Sequence, residues 1–358
     1  MLSAIVIVGP ETREEEENCI AAGEVAATPP RAESEIQQGT PLVCVEILGR
    51  SVVTRLVGEL RRAGVDQIAM VENDSGAPKD AVIDSAAKIE LGSPELVSPE
   101  LVSPEKVAQE VTRQVLTFKE SGVEAILVGR VGAYVDMDFK DAFQFHREQG
   151  QAVTRAFDKE GPLDLWVIDP AWVSDGMDTL ATLRAAEPVR YFVRGYVNRL
   201  EHPRDLRRLV VDGLTSRCGL RPQGSEIRPG VWTDEGAQVH RDARIVAPAF
   251  IGRGARIGEQ CLITRCSNIE SNSQVDYGTA VEDSSILPNS YVGIGLDLSH
   301  SIVDGNNLLN LERGVTVEIA DPCVIRQNRV PQQEKNFQSP VAFGLGSAQV
   351  SPVEEGLR

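Results

Sequence analysis

Aliphatic residues recur at every sixth position from Val239: Val239, Ile245, Ile251, Ile257, Ile263, Ile269, Val275, Val281 and Leu287. No other feature of the chain restricts its fold as tightly. Two residues ahead of each lies a small side chain, running from Ala237 and Ala243 to Thr279 and Ser285. A hexapeptide period is the signature of a parallel β-helix. Each hexad forms one flat side of a triangular coil, with the aliphatic residue pointing inward and the small residue at the corner. Three hexads close one coil, so nine make about three coils. The phase breaks near "GIGLDLSH" and resumes at Val303, Leu309 and Val315. A loop expelled from the coil is expected at that break.

The preceding residues carry a different pattern. Leu2–Val8 is a continuous apolar strand, and residues 10–40 are acidic, without a period, and read as a loop. A second strand is expected over Leu42–Val45. Val53, Leu56, Val57 and Leu60 then fall at helical spacing, with Gly64 as the stop. "DQIAMVEN", "VEAILVG" and "PLDLWVI" read as strands. "DFKDAFQFHREQG" and "HPRDLRRLVVDGL" read as helices, the latter with proline in its first turn. The repeated Ser-Pro-Glu-Leu-Val unit at 93–102 is expected to be a spacer, because its prolines cannot lie inside one regular helix. Residues 218–230, rich in Gly and Pro, read as a linker. The alternation of strands and helices predicts an α/β domain over 1–222. A β-helix over 232–325 and a polar tail over 326–358 complete the chain.

Charge narrows the function. The 358 residues carry a formal net charge of −17, which argues against binding to nucleic acid or to anionic membrane. Six cysteines without a C-x-x-C pair argue against a zinc site and for a reducing compartment. No stretch reaches membrane-spanning length or looks like a secretory leader. A cytoplasmic protein is expected. His240 and His300 are the histidines of the repeat region. Either would be the base if the repeats formed an acyltransferase, and the commoner alternative is a surface histidine.

The hexads resemble the left-handed β-helix of hexapeptide-repeat proteins. The whole layout resembles the sugar-nucleotide pyrophosphorylases, such as mannose-1-phosphate guanylyltransferases. "PLVCVEILGRSVVTRLVGELRRAGVDQIAMV" is similar to the segment after that family's signature loop. "DFKDAFQFHREQGQAVT", "LWVIDPAWV" and "GYVNRLEHPRDLRRL" are similar to three further family segments. The resemblance covers most of residues 1–325. It implies a Rossmann-like nucleotidyltransferase domain, a nucleotide-sugar ligand, and a cytoplasmic oligomer. The oligomer would form with itself or with an active paralogue through the β-helix.

The family's chemistry uses a glycine-rich phosphate loop, a lysine, and two aspartates that hold Mg²⁺. The loop falls on "VGPETR", where Gly9, Thr12 and Arg13 match. Val8 and Glu11 replace glycines, and Pro10 lacks an N–H. The lysine position falls on Thr40, and the two aspartate positions fall on Arg130 and Arg199. Guanidinium has no lone pair to offer a metal and stays protonated. The expected protein therefore has no catalytic residue and no metal, and it grips a nucleotide sugar through Arg130 and Arg199. Alternatively those arginines pair with Asp136, Asp138 or Glu201 in an empty site. A working enzyme with a rearranged site would take Mg²⁺ through Glu11 or Asp138.

Overall fold

The computed structural model describes residues 1–8, 41–73, 100–102 and 106–328. Residues Met1–Asn328 form one compact unit. In chain order its first part comprises β1 (Leu2–Val8), β2 (Glu46–Ile47), β3 (Arg50–Ser51), α1 (Val52–Arg62), β4 (Gln67–Asn73), β5 (Glu100–Val102) and α2 (Val107–Glu120). It continues through β6 (Ala125–Arg130), β7 (Tyr134–Val135), α3 (Phe139–Gln149), β8 (Val153–Phe157), β9 (Pro162–Ile168), α4 (Thr179–Ala185), β10 (Val189–Phe192), β11 (Val197–Asn198) and α5 (Pro203–Leu214).

Seven strands form a mixed sheet in the order β10-β8-β9-β6-β1-β4-β5. β1 lies between β4 and β6 and parallel to both, and β9 runs antiparallel to both β6 and β8. The uniformly apolar β1 alternates its side chains between two buried clusters, as a strand covered on both faces must. Ala4, Val6 and Val8 face the cluster that holds α1 and α5, and Ile5 and Ile7 face the one beneath α2 and α4. α1 buries Val52, Val53, Val57 and Leu60 and is capped by the Ser51 hydroxyl, which accepts from the Thr54 amide. Gly150, at φ 61°, ends α3 in the left-handed conformation that glycine adopts most readily.

Two local expectations change. Leu42–Cys44 form one turn of 3₁₀ helix, not a strand, although all three side chains are buried. An apolar run of three or four residues has too few positions for its period to decide between the two. The 93–102 repeat is not wholly a spacer, because its second copy supplies β5, which pairs with β4. Its first copy lies outside the described residues.

From Val231 to Val303 the chain visits three parallel ladders in turn. Val239 pairs with Ile257, Ile245 with Ile263, and Ile251 with Ile269, each eighteen residues on. These aliphatic residues form one buried cluster from Ile245 to Val303. Val239, in the edge strand of its ladder, is 39% exposed. The corner residues do more than fit. Ser267 donates to Val281 O and accepts the Ser284 N–H, and Ser273 and Thr279 repeat the arrangement with Ser290 and Leu296. Buried hydroxyls thus bond one pass to the next and are themselves satisfied.

The phase break differs from the expectation. No loop is expelled at "GIGLDLSH": Asp297–Ser299 is a strand that pairs in parallel with Ala280–Glu282. The pass is instead shortened by one residue, so that Ile286, not Leu287, pairs with Ile269. Leu287 is buried on the opposite side, in the cluster shared with α1 and α5. Leu309 and Val315 do not resume the hexads. They lie in Asn307–Asn310 and Val315–Glu318, which add antiparallel strands to the end of one ladder. Within the expected linker, Ser225–Arg228 is a strand paired with Val231–Thr233. Beyond 325 the pairing continues, with Ile325–Gln327 antiparallel to Ser290–Val292.

If the ladder interior stabilises the repeat region, Ile263→Ala, at a fully buried position, should lower unfolding stability by about 2–5 kcal/mol. Chemical denaturation reads this directly. A loss under about 0.5 kcal/mol would mean the cluster contributes little.

Candidate anion site

A cavity of about 330 Å³ opens at the C-terminal end of β6. Gly129 leaves room for the Leu165 side chain of β9, whose Cδ1 would lie 2.7 Å from a Cβ at that position. The next residue, Arg130, ends the strand, 6% exposed, and lines the cavity. The other walls come from α1, from the start of β9, from Arg199 after β11, and from residues 219–223. Six arginines line it: Arg50, Arg55, Arg62, Arg130, Arg199 and Arg221. Against them stand Glu59, Asp136 and Asp164, leaving an excess of three positive charges. The lining thus reverses the sign of the chain, whose net charge is −17.

The lining arginines are engaged in different ways. Arg199 makes a two-pronged bond to Asp158, with Nη2 to Oδ1 at 2.7 Å and Nε to Oδ2 at 3.3 Å, and lies 3.6 Å from Glu160. Burial alone would raise the Asp158 pKa. The hydrogen bonds from Arg199 and from the Glu160 and Gly161 amides outweigh it and hold the carboxyl below its ordinary range. Asp158 therefore replaces the expected partners Asp136, Asp138 and Glu201. Asp136 accepts from the Gly219 amide at 2.8 Å, and Asp138 caps α3. Arg62 pairs with Glu59, and Arg155 and Arg184 both reach Asp164. Arg221 donates to Cys218 O.

Arg55 is held by carbonyl oxygens. It donates to Arg221 O and Ile47 O at 2.9 Å, to Leu48 O at 3.0 Å and to Arg50 O at 3.4 Å. Burial brings its pKa down to about 10, and among the described residues no carboxylate bonds to it. Three of those carbonyls belong to the turn between β2 and β3. Leu48 (φ 51°) and Gly49 (φ 87°) are both left-handed there, so their two N–H groups point the same way and form an anion-binding nest. Glu270 fills it: Oε1 accepts from Leu48 at 2.8 Å and Oε2 from Gly49 at 3.0 Å. Glycine is required at 49 on two counts, since a Cβ would also meet Gln223 Cβ at 2.7 Å.

Glu270 comes from the repeat region and is fully buried. Burial, with Glu46 nearby, pushes its carboxyl up to about 8, while the Asn268 amide and the two turn amides pull the other way. Asn268 is in turn held by Arg207 of α5, which also bonds Asp283 at 2.9 Å, and Asp283 meets His300 Nδ1 at 2.7 Å.

Both sequence-expected arginines thus line one cavity. Gly9, Thr12 and Arg13, together with Glu11 and Thr40, lie outside the described residues. Of the two histidines of the acyltransferase alternative, His240 is exposed beside Asp242 and His300 is bonded to Asp283. The lining role of Arg50, Arg55, Arg62 and Arg221 is absent from the sequence reading. Arg55 and Arg62 carried a signal, since both fall off the apolar stripe of α1. Glu270 carried none, because it takes the same hexad position as Asp276 and Glu282, which are not buried.

Among the described residues no group of three or more His, Cys, Asp or Glu side chains is placed to hold a metal ion. Nor is any helix among them long and apolar enough to cross a membrane. No family model matches the chain, and no curated protein matches it.

The raised Glu270 pKa has a signed consequence. Between its ordinary value of 4.5 and about 8 the folded state holds a proton that the unfolded state has lost. Stability must therefore fall as pH rises through that window, by up to about 1.4 kcal/mol per pH unit for one such group. Urea unfolding from pH 5 to 9 should show wild type losing stability relative to Glu270→Gln. Parallel curves for the two proteins would contradict the assignment.

Proposed function

We propose that this protein binds a nucleotide sugar without turning it over, as a regulatory or scaffolding relative of the sugar nucleotidyltransferases. The observation that carries the reading is the arginine excess of the cavity lining, to which the buried Arg130 at the end of β6 belongs. The mixed sheet is read as a Rossmann-like nucleotidyltransferase domain, with the ligand beyond the C-terminal ends of its central strands, where open α/β sheets bind ligands. The three parallel ladders are read as a left-handed β-helix that serves as an assembly surface, for a second copy or for an active paralogue.

The charge argument favours binding over catalysis. Nucleotidyl transfer needs a divalent cation to offset charge as the sugar phosphate attacks the α-phosphorus. A guanidinium about 4 Å from a cation repels each unit of its charge by about 4 kcal/mol at an effective dielectric near 20. The same guanidinium attracts a diphosphate and matches its paired oxygens. Arg199 is committed to Asp158 at 2.7 Å and serves by closing one side of the cavity. Arg130, Arg50 and Arg221 line the same cavity and are read as the charge that a phosphate meets there. The rearranged-enzyme alternative loses support at Asp138, which does not line the cavity and whose Oδ1 caps α3 by accepting the Lys140 and Asp141 amides.

Titration with a panel of nucleoside diphosphate sugars in EDTA should reveal one that binds, and Arg130→Ala should weaken it at least tenfold, or about 1.4 kcal/mol. Unchanged affinity in Arg130→Ala would remove that residue from the grip. Incubation with Mg²⁺, nucleoside triphosphates and hexose 1-phosphates should release no pyrophosphate. Release at a rate that scales with protein would establish the enzyme instead.

A further inference from the structure

We propose that Glu270 is a positioning residue for the cavity, acting across the β2–β3 turn on Arg55 without touching the bound anion. The inference rests on the cavity being the binding site. Glu270 does not line the cavity, yet both its oxygens accept amides of the turn whose carbonyls receive Arg55. The turn is thus clasped from both sides, by a carboxyl on its N–H face and a guanidinium on its C=O face. Immediately after it come Arg50, the Ser51 cap and α1, which carry three of the six lining arginines.

Three observations support a device more specific than general packing. Leu48 adopts φ 51°, a conformation that disfavours a residue with a branched side chain and persists only when its surroundings hold it. The carboxyl that holds it is itself fixed, since Asn268 donates to Glu270 Oε1 at 2.6 Å and accepts from Ser285 at 2.6 Å and Arg207 at 3.3 Å. The neighbouring Glu46 carboxyl accepts from the Ser271 hydroxyl at 2.9 Å, so β2 is pinned to the same stretch of the repeat region. The repeat region therefore reaches the turn behind the cavity wall through the buried Glu270, with the Ser271–Glu46 bond and the Phe250 ring beside it. Whatever displaces the segment around Glu270 displaces Arg55 and the start of α1 with it.

Glu270→Gln and Glu270→Ala test this, with Glu282→Gln as the control at the equivalent hexad position. Glutamine keeps one acceptor and turns a donor toward the second amide, so it should act as a partial rescue of alanine. Two readouts need no ligand. Amide exchange at Leu48 and Gly49 should quicken at least tenfold in Glu270→Ala, and phenylglyoxal labelling of Arg55, mapped by mass spectrometry, should rise at least fivefold. Affinity for the nucleoside diphosphate sugar, measured at least 10 °C below each variant's melting temperature, should fall at least tenfold in alanine and less in glutamine. The control should match wild type throughout. Unchanged exchange and labelling in both variants would overturn the proposal, as would a loosened turn with affinity within twofold of wild type. If wild type binds no nucleotide sugar, the proposed function fails, and exchange with labelling still decides whether Glu270 positions Arg55.

Discussion

A buried guanidinium must be served by acceptors, and for Arg55 these are backbone carbonyls. Four of them close around it, three from one short turn. A peptide turn that gives its C=O groups to a cation leaves its N–H groups facing the other way, and here they face Glu270. The arrangement joins a half-buried cation and a fully buried carboxyl through two peptide units. It also ties the α/β part to the repeat region at the one turn that starts α1. Removing Glu270 would leave the Leu48 and Gly49 N–H groups without their acceptor, and removing Arg55 would take the donor from the turn carbonyls; a buried polar group left unpaired costs more than the bond itself contributes.

The electrostatics of the cavity follow from this choice of acceptors. Arg62 and Arg199 are matched by Glu59 and Asp158, so their fields are largely local. Arg55 is matched by dipoles, and its charge remains part of the cavity wall. A basic cavity in a strongly acidic chain is selective by construction: the overall field repels anions, and only a ligand that reaches the guanidinium groups gains from them.

Most of the fold was legible because its periods are long. Eight aliphatic positions in register, Val239 to Val281, outweigh any local accident, and the helices α1, α3 and α5 each carry several turns of apolar stripe. The failures fall where the signal is short or degenerate. Ile286 and Leu287 are adjacent aliphatic residues, so either could continue the stack, and only the ladder register shows that Ile286 does. Leu42–Cys44 are too few to show a period. At the site, Arg130 was legible because an apolar strand fixes its place, and Arg199 because a motif surrounds it. Its partner Asp158 was not, since a bond across forty residues leaves no spacing to read. Glu270 was illegible for a related reason. The repeat tells which way a residue points, and it does not tell what lies beyond the surface it points from.

Guanidinium groups, in the proposed function, meet the phosphates of the ligand where a metal ion would otherwise stand. A crystal structure of the protein grown with a nucleoside diphosphate sugar and excess Mg²⁺ would decide the matter. Phosphoryl oxygens should lie within hydrogen-bond distance of Arg130, with no cation between them and the protein. A Mg²⁺ ion seated on Asp136 or Asp164 and bridging to the diphosphate would contradict that role for the arginines.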